Sequence, residues 1–443
     1  MRDSSKTMVV NIATPLFLFI ALGIMFYVFS LLNVDIRPIL TVVIVLTPLW
    51  LPVVFFYVLF DMWMWSMTEK FKYDNGRTTL RIKLPQEVLK SPEAMESIFT
   101  QIHNPSRPDN YMQTYFDGRH PLVYSFEIVS IGGEVRFYVN VPTKKGKNAV
   151  EAQFYAQYPG IEIVEELIDY AAEVVWDEKK WDLISFHMTK KQDEVYPIKT
   201  YIDFGMDKLP KEELKFEPMS PLIEHLGKCK PHERIWVQIL CTAHAPKNLV
   251  RGSLSDVPTW EVHAKEVIDK IMKRDKEGSG VEETENRPTL TLSERDTVAA
   301  IERNTSKYAY DAVVRAMYIT EAGKFDADMI SPLLRAFAQY DVVGRNQLGA
   351  TWRTDFDYNF ISDFSGQRKR NMKKTELEYY KHRFYLPGDK KKRVDKVKVM
   401  SVEELATIYH IPGTSVLTPS MSRVESTRRE APANLPIGNT PYA

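Results

Sequence analysis

The chain has 443 residues, of which 26% are charged and 44% are hydrophobic, and its formal net charge is zero. This length leaves room for two or three domains of roughly 150 residues each. The composition fits a folded globular body and excludes both a disordered chain and a transporter with many membrane spans. The two cysteines, Cys229 and Cys241, have neither metal-site nor redox spacing. Disulfides are therefore not an expected source of stability, which suits a reducing compartment.

Two uncharged, apolar runs near the N-terminus predict a two-helix transmembrane hairpin within residues 1–68. The first run extends from Met8 to Val34 and the second from Pro38 to Phe60. Each is long enough to cross a bilayer, since a spanning helix needs about 20 apolar residues. A secretory signal is the alternative for the first run, but the run is longer than the apolar core of a signal and a second run follows at once.

Basic residues predict the orientation of this hairpin. They flank both of its outer ends, whereas the turn between the runs holds Arg37 alone. Because cytoplasmic flanks of membrane helices are enriched in Lys and Arg, both termini and the soluble body are expected in the cytoplasm, with two spans in the inner (cytoplasmic) membrane. The flanking residues are Arg2, Lys6, Lys70, Lys72, Arg77, Arg81 and Lys83.

The segment 77–177 predicts a ferredoxin-like (split βαβ) domain of the α+β class. Gly132-Gly133 separates two strand-like runs and indicates a hairpin, because glycine adopts positive φ at little cost. Ser91-Pro92 opens a helix with one apolar face. The order βαββαβ comes from strands at Thr79–Leu84, Leu122–Ile131, Glu134–Val141 and Ile161–Glu165, and from helices through Met95, Ile98, Phe99 and Ile102 and at Lys147–Tyr158.

The segment 181–365 predicts a second, elaborated copy of the same α+β plan. The similarity lies in the order of elements only, since the two segments share no residue-level repeat. Its expected strands are Leu183–Met188, Ile198–Phe204, Arg234–Leu240 and Ala312–Ile319, and its expected helices are Pro221–Cys229, Trp260–Arg274, Leu292–Ser306 and Ala327–Tyr340.

The residues after 365 differ in kind from both domains. Between Arg368 and Lys398 there are thirteen Lys or Arg against four acids, a charge of about +9 that defines a basic segment at 366–400. Residues 401–443 predict a short helix followed by an extended Pro/Ser/Thr-rich tail. At the start of that helix, Ser401 and Glu404 have the spacing of a capping box.

The basic segment contains the candidate binding residues. Basic side chains neutralise phosphates and interleaved aromatic side chains, here Tyr379 and Tyr380, can stack on bases, so a nucleic acid is one interpretation of this pattern. A solvated linker that binds nothing is another interpretation, and a patch that faces anionic lipid or an acidic partner is the third. The candidates are Arg368, Lys369, Arg370, Lys373, Lys374, Lys390, Lys391, Lys392 and Arg393.

The sequence predicts neither an enzyme nor a cofactor. Three Gly-Lys pairs occur, but none has the upstream glycine of a phosphate-binding loop. One cluster of residues has side chains that can bind a metal, but its spacing matches no zinc site. A core cysteine and solvent-facing histidines are the simpler explanation of these residues. The members of that cluster are His225, Cys229, His232, Cys241 and His244.

Several segments resemble the membrane-anchored domain of unknown function found ahead of HerA/FtsK-like and TraG/TraD-like ATPases of conjugation and type IV secretion. The segments that carry this resemblance are Leu84-Pro85, Ser91–Glu96, Ser125–Ile128, Tyr155–Pro159, Ser401–Pro412, Arg423–Ser426 and Ala431–Pro436. In such relatives a nucleotide-binding loop follows, whereas this sequence ends at Ala443. The resemblance therefore leaves two expectations: the ATPase is a separate subunit and the partner of this chain, or the chain is a stand-alone paralogue.

From these observations we expect a non-enzymatic accessory component of a DNA-transfer apparatus. Its partners would be the membrane, the ATPase and, as open alternatives, DNA and a second copy of the chain. The helix after Ser401 would be the docking element for the ATPase, through Ser401, Glu404, Leu405, Tyr409 and His410. A membrane-tethered regulatory or sensory module with no link to DNA is the alternative function.

Overall fold

The structure is a computed structural model, and the chain divides into two compact units, Met1–Glu69 and Lys70–Ala443. It describes residues 37–85, 90–104, 108, 110–208, 216–244, 247–250, 253–256, 260–272, 290–354, 366–384, 397–413 and 423–424.

A long apolar helix, α1, extends from Arg37 to Asn75. It contains the second predicted span and continues 15 residues beyond its predicted end at Phe60. Among the described residues, one helix stretch, Leu51–Asn75, is long and apolar enough to cross a membrane, and its apolar window is not buried; a signal sequence would meet the same criterion. The first predicted span, Met8–Val34, lies outside the described residues.

Ten strands of the described residues form one sheet in the second unit. Neighbouring strands are antiparallel, except that β12 joins β1 in parallel. The strands are β1 (Arg77–Pro85), β2 (Tyr124–Ile131), β3 (Glu134–Pro142), β4 (Glu162–Glu166), β5 (Trp181–Lys190), β6 (Glu233–Ala243), β9 (Ala309–Glu321), β10 (Leu348–Arg353), β11 (Lys398–Ser401) and β12 (Arg423–Val424); β7 (Lys247–Val250) and β8 (Ser253–Asp256) pair separately.

Helices connect and cover these strands. They are α2 (Glu93–Ile102), α3 (Tyr111–Tyr115), α4 (Lys147–Gln157), α5 (Ser220–Gly227), α6 (Trp260–Ile271), α7 (Leu292–Thr305), α8 (Ile330–Arg335), α9 (Gln367–Lys381) and α10 (Val402–Ile408). Short 3₁₀ turns lie at Tyr170–Glu173, Ala327–Met329 and Ala338–Tyr340.

The sheet has two halves with the same strand order. In the first half the strands run β4-β1-β3-β2, and in the second they run β10-β5-β9-β6. The halves meet where β2 pairs with β6, from Tyr124 opposite Cys241 to Ile131 opposite Arg234. We call this junction the seam. The seam makes one continuous sheet out of the two segments that the sequence predicted as separate domains.

Two local predictions in the first half are confirmed. The apolar face of α2, with Met95, Ile98 and Phe99, is fully buried. The Gly132-Gly133 hairpin joins β2 to β3, and both glycines have positive φ, 59° and 92°. A side chain at Gly133 would meet backbone oxygens 3.0–3.1 Å away, so glycine is required there by space as well as by φ.

Residues of β2 show how the two sheet faces are packed. Successive side chains of a strand point to opposite faces. Phe126 and Ile128 belong to the larger core, which α2, α4, α5 and α10 cover, whereas Val129 belongs to a second core on the other face. That second core includes residues 170–174 and α9. Both faces of the sheet are therefore covered near the seam.

One predicted element of the second half is wrong, and one predicted helix is divided into shorter helical pieces. Residues 198–204, expected as a strand, are a turn, because backbone N–H groups of Ile198 and Tyr201 donate to Glu404 and Thr407 of α10 instead of to a strand. The expected helix Ala327–Tyr340 consists of α8 between two 3₁₀ turns.

Candidate functional site

The predicted binding residues divide into two groups. Lys390, Lys391, Lys392 and Arg393 lie outside the described residues. The other five lie on α9, whose outer face exposes Arg368 and Lys374 and leaves Lys369, Arg370 and Lys373 partly exposed.

Two of these five predicted residues contact carboxylates of the body. Lys373 Nζ lies 2.5 Å from Asp182 Oδ1, and Arg370 Nε lies 3.6 Å from Glu178 Oε2. These pairs hold α9 against the start of β5. They also neutralise part of its charge, so the outer face is less basic than the sequence suggests.

The two tyrosines that were predicted to stack on bases, Tyr379 and Tyr380, instead pack against other aromatic side chains of this chain. Tyr380 is fully buried, with its hydroxyl 2.8 Å from that of Tyr170 and its ring against Trp236. Tyr379 is half-buried and its ring contacts Phe384, with 5.5 Å between centroids. Tyr380 is therefore a core residue and is not available to a nucleic acid in this structure.

The end of α9 carries a buried ion pair that sequence reasoning missed. Arg383 adopts a left-handed backbone conformation (φ 49°), and its Nε and Nη2 donate to the two carboxylate oxygens of Glu127 at 3.0 and 3.1 Å. Arg383 also contacts Asp169. Burial alone would raise the pKa of Glu127, but the Arg383 guanidinium together with hydrogen bonds from Ser125 and Gln238 holds that pKa below its usual value. Glu127 is therefore an ionised carboxylate inside the sheet.

A second buried pair joins α9 to β5. His187 Nε2 lies 2.8 Å from Glu376 Oε2, and the two side chains are 5% and 0% exposed. The ring of His187 also packs on Trp352 of β10. The two pairs together attach α9 to both halves of the sheet, since Glu127 lies on β2 and His187 on β5.

The predicted docking residues lie in the core. Ser401, Glu404, Leu405 and Tyr409 are fully buried, and His410 is 1% exposed. The predicted capping box is confirmed, because Ser401 Oγ accepts from the Glu404 N–H while the Glu404 carboxylate accepts from the Ser401 N–H. It does not present a surface: these side chains hold α10 inside the fold, and we do not assign docking to them.

Buried ion pairs fix α10 as they fix α9. The ammonium of Lys190 lies 2.8 Å from the Glu404 carboxylate, and both side chains are 0% exposed. His410 Nε2 lies 2.6 Å from Glu217 Oε1. Burial would raise the pKa of Glu217, but His410 and neighbouring N–H groups lower it. Removing either partner of such a pair would leave a charge in the core without compensation.

The histidines and cysteines that the sequence offered as a metal cluster do not come together as a metal site. Cys229 and Cys241 are buried, and burial raises the pKa of the Cys229 thiol to about 11. His225, expected at the surface, is buried and contacts the Met329 carbonyl at 2.9 Å. Among the described residues no group of three or more His, Cys, Asp or Glu could hold a metal ion.

An open groove of about 620 Å³ lies between α5 and α8. Carboxylates and cations both line it, so its charge does not select one kind of ligand. Its polar lining includes Glu224, His225, Lys228, Asp328 and Arg335.

The sequence contained one signal for the buried network. Glu127 stands in the apolar run of β2, and a charge in a buried strand requires a partner. The identity of that partner could not be read from the sequence, since Arg383 lies 256 residues away.

Comparison with known proteins gives a family but no named relative. No curated protein matches the chain. The model of a domain of unknown function (DUF8128) matches residues 66–424, which covers the described strands and the described helices α2–α10. The chain therefore belongs to the DUF8128 family.

Proposed function

We propose that this chain is a non-enzymatic, membrane-anchored accessory component of a conjugation-like or type IV secretion-like DNA-transfer apparatus, to which a separate HerA/FtsK-type ATPase docks. The observation that carries the anchoring is α1, whose apolar stretch Leu51–Asn75 is not buried and continues directly into the body. The ATPase partner rests on the resemblance of segments such as Ser125–Ile128 and Tyr155–Pro159.

The proposed topology has two spans with both termini in the cytoplasm. It is supported by the basic residues that flank the outer ends of the hairpin. Reporter fusions at residues 5 and 100 test it: both are expected to report cytoplasm. A periplasmic signal at residue 100 would reverse the orientation and place the body outside the cytoplasm.

The proposed body consists of two ferredoxin-like units joined at the seam. The strand orders β4-β1-β3-β2 and β10-β5-β9-β6 support this proposal, because a split βαβ unit puts its first and third strands in the centre of the sheet and its second and fourth at the edges. Such a continuous sheet is a rigid platform for a partner.

The proposed contact with DNA involves the outer face of α9 and the basic run 390–393. It is supported by the exposure of Arg368 and Lys374. With the full chain in detergent, DNA affinity is expected to fall with salt, since each neutralised phosphate contributes about −0.7 to −0.9 to the log–log slope. Changing residues 390–393 together to Ser should weaken binding to all sequences and flatten that slope. The control is Lys83→Ser, because Lys83, on β1, is paired with Glu162 of β4.

If the quadruple variant binds DNA as tightly as the parent at low salt, the DNA contact is refuted. The alternative function, a membrane-tethered regulatory or sensory module, is favoured by one observation: Lys373 and Arg370 already have carboxylate partners in the body. Purification from detergent followed by mass spectrometry separates the two functions. Stoichiometric recovery of a HerA/FtsK-type ATPase supports the first, whereas recovery of a signalling protein supports the second.

A further inference from the structure

The chain enters the second unit through residues 70–75, and two other segments lie against that entry. The ring of Phe71 is 5.1 Å from that of His120, which follows α3, and Lys145 Nζ lies 5.2 Å from the Phe71 ring. The backbone N–H of Lys144 donates to the Asn75 carbonyl at 3.1 Å. Residues 70–75, 111–120 and 143–145 therefore form one surface, which we call the entry surface.

The entry surface exposes large apolar side chains. Tyr73 is 82% exposed, Met112 62%, Phe116 54% and Tyr111 49%. Single exposed apolar residues are common on proteins, but several of them on segments that contact one another mark an interaction site. The short helix α3 holds Tyr111 and Met112, and Phe116 is its C-cap; its N-cap, Asn110, accepts a hydrogen bond from the Gln113 N–H, so these three residues are carried on a defined element.

The entry surface is also cationic. It contains five Lys or Arg and two carboxylates, a formal charge of +3, in a chain whose net charge is zero. Lys70, Lys72, Lys144 and Lys145 are exposed. One cation, Arg119, lies 3.6 Å from Asp117. Aromatic side chains interspersed with lysines are typical of protein segments at a membrane–water interface. There the rings enter the headgroup layer and the ammonium groups contact lipid phosphates.

We propose that the entry surface lies in the headgroup layer of an anionic membrane leaflet, so that the body is held against the membrane and not only tethered to it. This inference rests on the proposed anchoring by α1. Lipid is favoured over a protein partner because residues 70–75 are the end of the helix that carries the apolar stretch, so the nearest apolar phase is the bilayer itself. It is also favoured by the charge, because the opposing surface must be anionic.

A second exposed apolar site provides a matched control. Leu167 and Ile168, after β4, are 95% and 78% exposed. Their neighbours Glu165 and Glu166 are paired with Lys147 and Arg81, so this site has no excess positive charge that would attract an anionic leaflet. Exposure alone therefore predicts lipid contact at both sites, whereas exposure combined with charge predicts it at Met112 and not at Leu167.

The test uses the full chain in vesicles that contain phosphatidylserine and lipids with a nitroxide quencher. A fluorophore is attached to Met112→Cys, to Leu167→Cys or to Val54→Cys. The native cysteines are buried, so labelling is selective. A headgroup nitroxide is expected to quench the probe at Met112 strongly and the probe at Leu167 weakly. An acyl-chain nitroxide should quench the probe at Val54, on α1.

The charge contribution is tested separately. Changing Lys144 and Lys145 to Glu, or replacing phosphatidylserine by phosphatidylcholine, should remove most of the quenching at Met112, since each lysine near an anionic leaflet contributes about fivefold to binding. High salt should do the same to the parent chain, which guards against misfolding of the variant. Equal quenching at Met112 and Leu167, with the probe at Val54 quenched, overturns the inference and leaves the anchoring intact. Failure to quench Val54 overturns the anchoring and the inference with it.

Discussion

The strongest test of the fold is the removal of Arg383. Arg383→Met deletes the guanidinium that pairs with Glu127 and keeps a long side chain. The positive φ at this position strains any residue other than glycine. Because this strain is the same for Arg and Met, it does not contribute to the difference in stability between the two proteins. The variant therefore measures the loss of the ion pair inside the sheet.

The expected loss follows from the surroundings of Glu127. This carboxylate is fully buried, and breaking a buried pair costs about 3–5 kcal/mol because a charge stays in the core without compensation. Three donors remain after the change: Ser125 Oγ at 2.6 Å, Tyr170 OH at 2.7 Å and Gln238 Nε2 at 2.9 Å. They stabilise the carboxylate in part, so we expect a loss near the lower limit, about 3 kcal/mol.

The free energy of unfolding is measured by denaturant titration of the full chain in detergent. The control is Lys83→Met, whose ion pair with Glu162 is 2.8 Å long but has side chains 36% and 47% exposed. A surface pair of this kind contributes about 0–1 kcal/mol. The double variant Glu127→Gln, Arg383→Met should recover part of the loss. If Arg383→Met costs no more than Lys83→Met, the buried pair does not stabilise the fold as argued.

Three further predictions concern the same body. The pKa of Glu127 is lower in the folded chain than in the unfolded chain, where it is about 4.3. Its ionisation therefore stabilises the fold above about pH 4.3, and this stabilisation is lost as the pH falls through the folded-state pKa. We expect Glu127→Gln to flatten the acid side of the curve of unfolding free energy against pH. Gly133→Ala should destabilise more than Gly323→Ala in thermal unfolding, because both have positive φ but only the first places a Cβ within 3.0–3.1 Å of backbone oxygens. Thiol titration should label Cys229 and Cys241 only after unfolding, since burial raises both pKa values; fast labelling of the native chain would contradict their burial.

Local patterns were sufficient where neighbouring residues decide the structure. The buried face of α2 follows from its 3.6-residue period, and the β2–β3 hairpin follows from the need for positive φ at Gly132 and Gly133. The capping box of Ser401 and Glu404 is of the same kind, because both groups lie within one helical turn. The sequence could predict the box, but not that the box would be buried.

Long-range contacts decided the rest. Residues 198–204 have the composition of a strand, yet the N–H groups of Ile198 and Tyr201 donate to side chains of α10, about 200 residues later. The basic run on α9 indicates a solvent-exposed helix, but Leu377 and Tyr380 on its other face are buried against the sheet. A run of charged residues predicts that one face of a helix is exposed to solvent, but the opposite face can still pack in a hydrophobic core.

The positions of α9 and α10 explain why the C-terminal part is integral to the body. On one face of the sheet, Tyr380 of α9 packs in the core that contains Val129 of β2 and Trp236 of β6, the two strands of the seam. On the other face, Tyr409 follows α10 and its ring contacts Phe126 of β2. The seam is therefore covered on both faces by residues after 366, and the ion pairs of α9 and α10 reach strands of both halves. Because the two halves present apolar surface at the seam that these helices bury, the C-terminal segment stabilises their junction. Among the described residues of that segment, the paired charges stabilise this junction, whereas Arg368 and Lys374 on the outer face of α9 are exposed to a partner.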